Sequence, residues 1–202
     1  MNAPILSTER LILRPLTSVD APYMFVWASD PRVTKYLPYT RYTRVQDAIE
    51  WLKTLAEEEG AYYFGVTRRT DHMLIGSSSL TWRADQQAWE IGYNLRHDCW
   101  NQGYATETTH AMLKFGCESL GAKAFMAKHA VENSASGRVL EKCGLKFSHY
   151  GEYTSLDGLR TFNAKYYRLD APASPAPFFD DRILADILTE YWHKHCNPTK
   201  LH

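Results

Sequence analysis

The chain has 202 residues, of which 45% are hydrophobic, 13% aromatic and 23% charged, enough apolar side chains to build a sizeable core and too many for a disordered or fibrous chain. Its 23 Lys and Arg balance its 23 Asp and Glu, so no whole-protein field draws it to phosphate backbones or anionic lipid, and neither nucleic acid nor membrane is an expected partner. The N-terminal stretch carries no apolar run of signal-peptide length, and nowhere do about eighteen uncharged apolar residues follow one another, so a cytoplasmic protein is expected.

In chain order, Arg10 to Leu16 (RLILRPL) reads as a strand with Leu11 and Leu13 on one face. A short helix follows, with Ser18 as N-cap, Pro22 in its first turn and Tyr23, Val26 and Trp27 on one face. Tyr36 to Tyr42 (YLPYTRY) fits neither period and reads as an aromatic loop. Thr43 with Gln46 three residues on is a capping-box pattern, and Val45, Ile49, Leu52 and Leu55 mark a second helix that Gly60 ends. Ala61–Thr67, His72–Trp82 and Gln87–Leu95 then read as an antiparallel meander joined by short turns.

Beyond residue 95 the pattern changes to helix (Gly103–Leu120), strand (Lys123–Ala130), helix (Asn133–Cys143) and strand (Leu145–Thr154), an alternation that points to parallel pairing. Asp157-Gly158 marks a hairpin into a last strand, Leu159–Leu169. The expected organisation is one domain over 1–170, a Pro/Ala-rich linker over 171–178 and a helical extension over 179–202. The apolar stripe of that extension, Ile183, Leu184, Ile187, Leu188, Tyr191 and Trp192, must be covered by something, either the protein's own core or a contact such as a homodimer. Cys99, Cys117, Cys143 and Cys196 form no C-x-x-C pair and read as reduced thiols. His193, His195, Cys196 and His202 match no zinc spacing, so no metal is expected.

The segment richest in chemistry is Glu90 to Thr106, EIGYNLRHDCWNQGYAT: a strand, a short loop, then Gly103 and Ala105 opening a helix. Unpaired N–H groups at a helix start, with no side chain at Gly103 to block approach, make an anion site that a pyrophosphate would fit. An ordinary glycine helix start is the alternative, and the segment is neither a Walker loop nor G-x-G-x-x-G.

EIGY on the strand, WNQGYATE at Trp100 to Glu107 and NSASGRVLEKCGLKF at Asn133 to Phe147 occur in this order around a helix and a strand. Together with the TERLILRPL opening, this set resembles the GNAT superfamily of N-acetyltransferases, and within it the Rim-type branch, over Glu9 to Leu169. The resemblance implies an α/β (α+β) fold: a mixed, mostly antiparallel seven-stranded sheet flanked by helices and splayed between its fourth and fifth strands, Gln87–Leu95 and Lys123–Ala130. Acetyl-CoA would lie in that gap as co-substrate. By the same resemblance Trp100, Asn101, Gln102, Gly103, Tyr104 and Ala105 form the pyrophosphate loop, with Thr106 next in the first turn. Trp100 stands where the superfamily pattern has Arg or Gln, as is usual in the Rim-type branch. Leu95 would pair with the pantetheine and Asn133 would hold it from the far side.

Direct acetyl transfer needs a neutral amine, a polarised carbonyl and a proton for the departing thiolate. Glu90 is the candidate base, with an outward-facing strand glutamate as the alternative, and backbone N–H groups at Gly92 to Leu95 would polarise the carbonyl. Many members supply the proton from a tyrosine in the helix after the fifth strand, and Leu140 occupies that position here. Ser136 is the candidate acid, with a first-turn serine serving backbone groups as the alternative. Glu152 and Tyr153 rank below these two. On the acceptor side the resemblance points to aromatic residues, with Trp27, Tyr36 and Tyr39 as candidates to cage an amine.

The expected activity is transfer of the acetyl group of acetyl-CoA to a primary amine of a small molecule or a peptide N-terminus. A weak or missing base would favour an α-amine. Replacement of the tyrosine by Leu140 motivates the alternative, an acyl-CoA-binding sensor without turnover.

Overall fold

In the computed structural model, which describes residues 3–55 and 58–171, the alternating segments of the chain share one open sheet. The strands are β1 (Leu6–Ser7), β2 (Leu11–Pro15), β3 (Ala61–Arg68), β4 (Leu74–Arg83), β5 (Ala88–Leu95), β6 (Ala124–Ala130), β7 (Lys146–Thr154) and β8 (Thr161–Asp170). The helices are α1 (Ala21–Ala28), α2 (Pro31–Thr34), α3 (Val45–Thr54), α4 (Tyr104–Leu120) and α5 (Ser134–Lys142). The helical extension expected over 179–202, and all but the first residue of the linker before it, lie outside the described residues.

The sheet has eight strands rather than the expected seven, in the order β1-β2-β3-β4-β5-β6-β8-β7. The additional one, β1, is two residues that pair Leu6 with Leu13 and Ser7 with Ile12, too short to carry a period. Among the described residues, parallel pairing occurs only between β5 and β6. The other parallel neighbour expected from the alternation, β6 beside β7, is interrupted because β8 turns back from β7 and pairs with β6 from Ala124↔Asp170 to Ala130↔Ala164.

Two helices differ instructively from their sequence patterns. In α1 the buried side chains are Ala21, Met24, Trp27 and Ala28, whereas Tyr23 and Val26 face water. At α3 the start is secured one residue later than the Thr43/Gln46 pattern suggests: the Asp47 carboxylate accepts from the backbone N–H groups of Thr43 (2.8 Å) and Arg44 (3.0 Å). A carboxylate is the stronger acceptor and suits the positive end of the helix.

Helices α1 and α3 pack on one face of the sheet and α4 and α5 on the other, as the cross-strand rows show. Trp51 of α3 meets Tyr63 edge-on, and Tyr63, Ser79 and Gly92 are register partners across β3, β4 and β5. Phe115 of α4 meets Phe64 edge-on, in a row that runs through Ser78 to Tyr93. Alternation along β5 therefore puts Glu90, Gly92 and Asn94 toward α1 and α3, and Trp89, Ile91, Tyr93 and Leu95 toward α4 and α5. On the second face Gly116 of α4 lies against Phe125 of β6, so closely that a Cβ there would come within 2.5 Å of the ring.

Candidate active site

Strands β5 and β6 pair only at Trp89↔Phe125 and Glu90↔Met126. Beyond these two residues they part, while β5 stays in register with β4 to Gly76↔Leu95 and β6 with β8 to Ala130↔Ala164. The edge of β5 from Ile91 to Leu95 is thus released from the ladder on the side of the gap, leaving backbone polar groups that an inserted ligand can pair as an added strand would.

The loop after β5 and the start of α4 close the gap at one end. Trp100 Nε1 donates to the Leu95 carbonyl (2.9 Å), its half-exposed ring rests on His97, and Gln102 Nε2 donates to the Asp98 carbonyl (2.9 Å). Asn101 and Gly103 both take positive φ, 60° and 81°, which turns the chain sharply into α4. Gly103 caps the helix with no side chain of its own, so the first N–H groups of α4 point outward past an open backbone. Tyr104 is buried with the Arg10 guanidinium over its ring, and Ala105 and Thr106 form the half-buried first turn. Glu107 binds Arg10 through Nε (2.7 Å) and Nη2 (2.6 Å) and Thr8 through its hydroxyl (2.6 Å), locking the N-terminal strands to this turn. The sequence signalled Gly103 but not Arg10 and Glu107, whose contact spans 97 residues. An open helix start beside a splayed strand edge can hold an anionic group with an extended chain attached to it.

The two candidate catalytic residues stand on opposite faces of the gap. Glu90 lies toward α1 and α3 at the root of the splay, where one oxygen accepts from Arg83 Nε (2.5 Å) and the other is ion-paired with Lys128 of β6. Burial alone would push its carboxyl up, but Lys128 and Arg83 outweigh burial and hold it below the usual carboxylate range. Neither cation was flagged by the sequence, and both alter what Glu90 can do. Along the same face Ser77 lies opposite Asn94 and contacts it at 3.3 Å, Ser79 opposite Gly92 and Thr81 opposite Glu90, a polar stripe beneath α1 and α3.

On the other face Asn133 caps α5, its side-chain oxygen accepting from Ser136 N (3.4 Å). Ser136 is half-buried, and the Tyr93 hydroxyl, with one hydrogen to give, lies 2.9 Å from its Oγ and 3.2 Å from its carbonyl. Leu140 is a core residue, 1% exposed. Tyr93, part of the EIGY motif, was not singled out from the sequence.

Of the aromatic acceptor-side candidates, Trp27 is corrected: at 1% exposure it packs among Ala21, Met24, Val33 and Leu52 and cannot touch a ligand. Tyr39 is half-buried on that cluster against Tyr42, and burial pushes its phenol up. Tyr36 is half-buried at the surface, edge-on to Phe162, and its carbonyl accepts from the Tyr153 hydroxyl (2.6 Å). That bond commits Tyr153 to holding the loop, and burial pushes its phenol up to about 12. Glu152 is exposed on the outermost strand, away from the gap. The loop over 36–42 is tied to the β7–β8 turn by Leu156 N to the Pro38 carbonyl (2.7 Å), by Arg160 to the Tyr39 carbonyl (3.0 Å) and by Thr40 to Asp157. Among the described residues no helix is long and apolar enough to cross a membrane.

Comparison with known proteins agrees with this geometry. A family profile described as acetyltransferase (GNAT) domain matches residues 10–146. The uncharacterized N-acetyltransferase YoaA of Bacillus subtilis is 33% identical over 147 residues, 71% of this chain and 83% of that protein. The FsC-acetyl coenzyme A-N(2)-transacetylase of Aspergillus fumigatus is 26% identical over 97% of this chain and 81% of its own length. Among solved structures, a GNAT-family acetyltransferase from Bacillus anthracis superimposes with a TM-score of 0.73 at 26% identity, covering 83% of this chain and 98% of that one.

Proposed function

The chain belongs to the Rim-type branch of the GNAT family and is an acetyl-CoA-dependent N-acetyltransferase, and from that premise we propose that its acceptor is an α-amine, carried by a peptide N-terminus or an amino-acid-like small molecule. The observation that carries this reading is Glu90 held between Lys128 and Arg83. A carboxylate with both oxygens engaged by cations is a poor proton acceptor. An α-amine, with a pKa of about 8, is already partly neutral near pH 7.5, whereas a lysine amine near about 10.4 costs on the order of 4 kcal/mol to deprotonate. A site without a strong base therefore favours the α-amine.

The two faces of the splay divide the work. The coenzyme occupies the α4/α5 face, its pyrophosphate on the loop from Trp100 to Thr106 and its pantetheine between the Leu95 edge and Asn133. The amine arrives on the α1/α3 face, over the polar stripe of β4 and β5, with Tyr36 and Tyr39 on the bordering loop. The amine nitrogen forms the new C–N bond by direct attack, and the C–S bond breaks with its electron pair on sulfur. Ser136 hands its hydroxyl proton to the thiolate and recovers one from water, while the surplus proton of the amine leaves to water.

Thiol release from acetyl-CoA, measured against short peptides and amino-acid amides on one side and polyamines and aminoglycosides on the other, tests the proposal. Release with α-amines supports it. Release confined to polyamines or aminoglycosides overturns the acceptor class.

A further inference from the structure

Ser136 is pinned at three atoms: Asn133 accepts from its N–H, and Tyr93 reaches both its carbonyl (3.2 Å) and its hydroxyl (2.9 Å). The phenol comes from β5, three residues past the last pairing with β6, so it crosses the gap from one wall to the other. No phenol can come from α5 itself at position 140, because Leu140 is there and is 1% exposed in the core. Helix α5 is in turn seated closely on β6: a Cβ at Gly137 would lie 2.7 Å from His129 Nε2, so a glycine is needed at this contact.

We propose that Tyr93 is a positioning residue for acetyl transfer, its hydroxyl fixing that of Ser136 so that the serine hydrogen is aimed at the coenzyme sulfur. The inference rests on Ser136 as the acid. A serine hydroxyl has one hydrogen and two lone pairs, and a free one rotates. The phenol is the more acidic partner and hence the better donor, and burial keeps it protonated. The phenol has one hydrogen for two acceptors, the Ser136 carbonyl at 3.2 Å and Oγ at 2.9 Å; directed at the nearer Oγ, it occupies one lone pair and leaves the serine hydrogen for an acceptor in the gap, where the thiolate forms. Each hydroxyl then donates along one direction, from Tyr93 to Ser136 to sulfur.

The test needs no acceptor. Bound CoA is titrated with pH through the ultraviolet absorbance of its thiolate in the wild type, Tyr93→Phe, Ser136→Ala and the double variant, with CoA affinity and thermal unfolding measured alongside. Donation to the thiolate lowers the pKa of the bound thiol, so Tyr93→Phe and Ser136→Ala should each raise it by about one pH unit, a tenfold change, and the double variant by no more than either alone. CoA affinity should change less than about twofold in Tyr93→Phe, which keeps the ring. A shift in Ser136→Ala but none in Tyr93→Phe overturns the inference and leaves Ser136 as the acid. A Tyr93→Phe variant that loses stability or affinity with an unshifted thiol makes the residue structural and also overturns it. An unshifted thiol in Ser136→Ala overturns the acid itself, and the inference with it.

Discussion

Replacing Glu90 by Gln separates the two readings of that residue. The carboxylate accepts from Arg83 Nε at 2.5 Å and is paired with Lys128, and its side chain is 13% exposed against 47% and 27% for its partners. Fully buried hydrogen bonds to charged groups contribute about 1.5–3 kcal/mol each. Water at the two cations screens both, and the amide oxygen of Gln retains one contact, so the net destabilisation is about 2 kcal/mol. For a domain of this size that corresponds to a melting temperature lower by about 4–8 °C. If Glu90 is not the base, kcat/KM for an α-amine acceptor falls by less than about tenfold, whereas loss of a general base costs about 10²–10⁴. Thermal unfolding and initial-rate kinetics on one preparation provide both numbers. A hundredfold or larger loss of kcat/KM with an unchanged melting temperature would refute the reasoning and restore Glu90 as the base.

Three further outcomes follow from the geometry. Gly103→Ala places a Cβ at φ +81° and 3.2 Å from Arg10 Nη2, on the path of an approaching phosphate, and should raise the dissociation constant of acetyl-CoA at least about tenfold by calorimetry. An unchanged constant would remove the pyrophosphate from this loop. Ser155, Thr40 and the Leu159 N–H hold the Asp157 carboxyl down at about 2, so its contribution is present above the ordinary value of about 3.9 and is lost as pH falls toward about 2. Hydrogen exchange in the loops over 36–42 and 155–160 should accelerate across that acid window relative to the rest of the sheet, and Asp157→Ala should show the faster exchange already at neutral pH. Equal protection in the variant would mean that Asp157 does not tie these loops. Trp27→Ala, in the core, should cost about 3–5 kcal/mol in urea unfolding without altering which amines are accepted. An altered acceptor preference in the folded variant would return Trp27 to the site.

The parts of this protein legible in its sequence are those fixed by local pattern. The strands from Ala61 to Leu95, the helix beginning at Gly103 and the strand and helix after it each carry their own period or cap, and the EIGY, WNQGYATE and NSASGRVLEKCGLKF segments place the gap between them. The face of α1 is not legible in the sequence, because APYMFVWA contains no strongly polar residue to phase it: Met24, not Tyr23, shares the buried side of Trp27, which removes that ring from the acceptor side. Lys128 and Tyr93 were missed for a different reason. Their contacts with Glu90 and Ser136 span 38 and 43 residues and exist only because a parallel crossover brings β6 and α5 alongside β5. Short-range pattern thus marks the candidate site, while the surroundings of Glu90 depend on partners that only the fold supplies.

The most direct test of the account is a single pair of acceptors of nearly equal size: lysine amide acetylated on its ε-nitrogen, which presents a free α-amine, and lysine amide acetylated on its α-nitrogen, which presents a free ε-amine. With acetyl-CoA near pH 7.5, the account predicts thiol release with the first and at most about a hundredth of that rate with the second. Equal or faster release with the free ε-amine would contradict it.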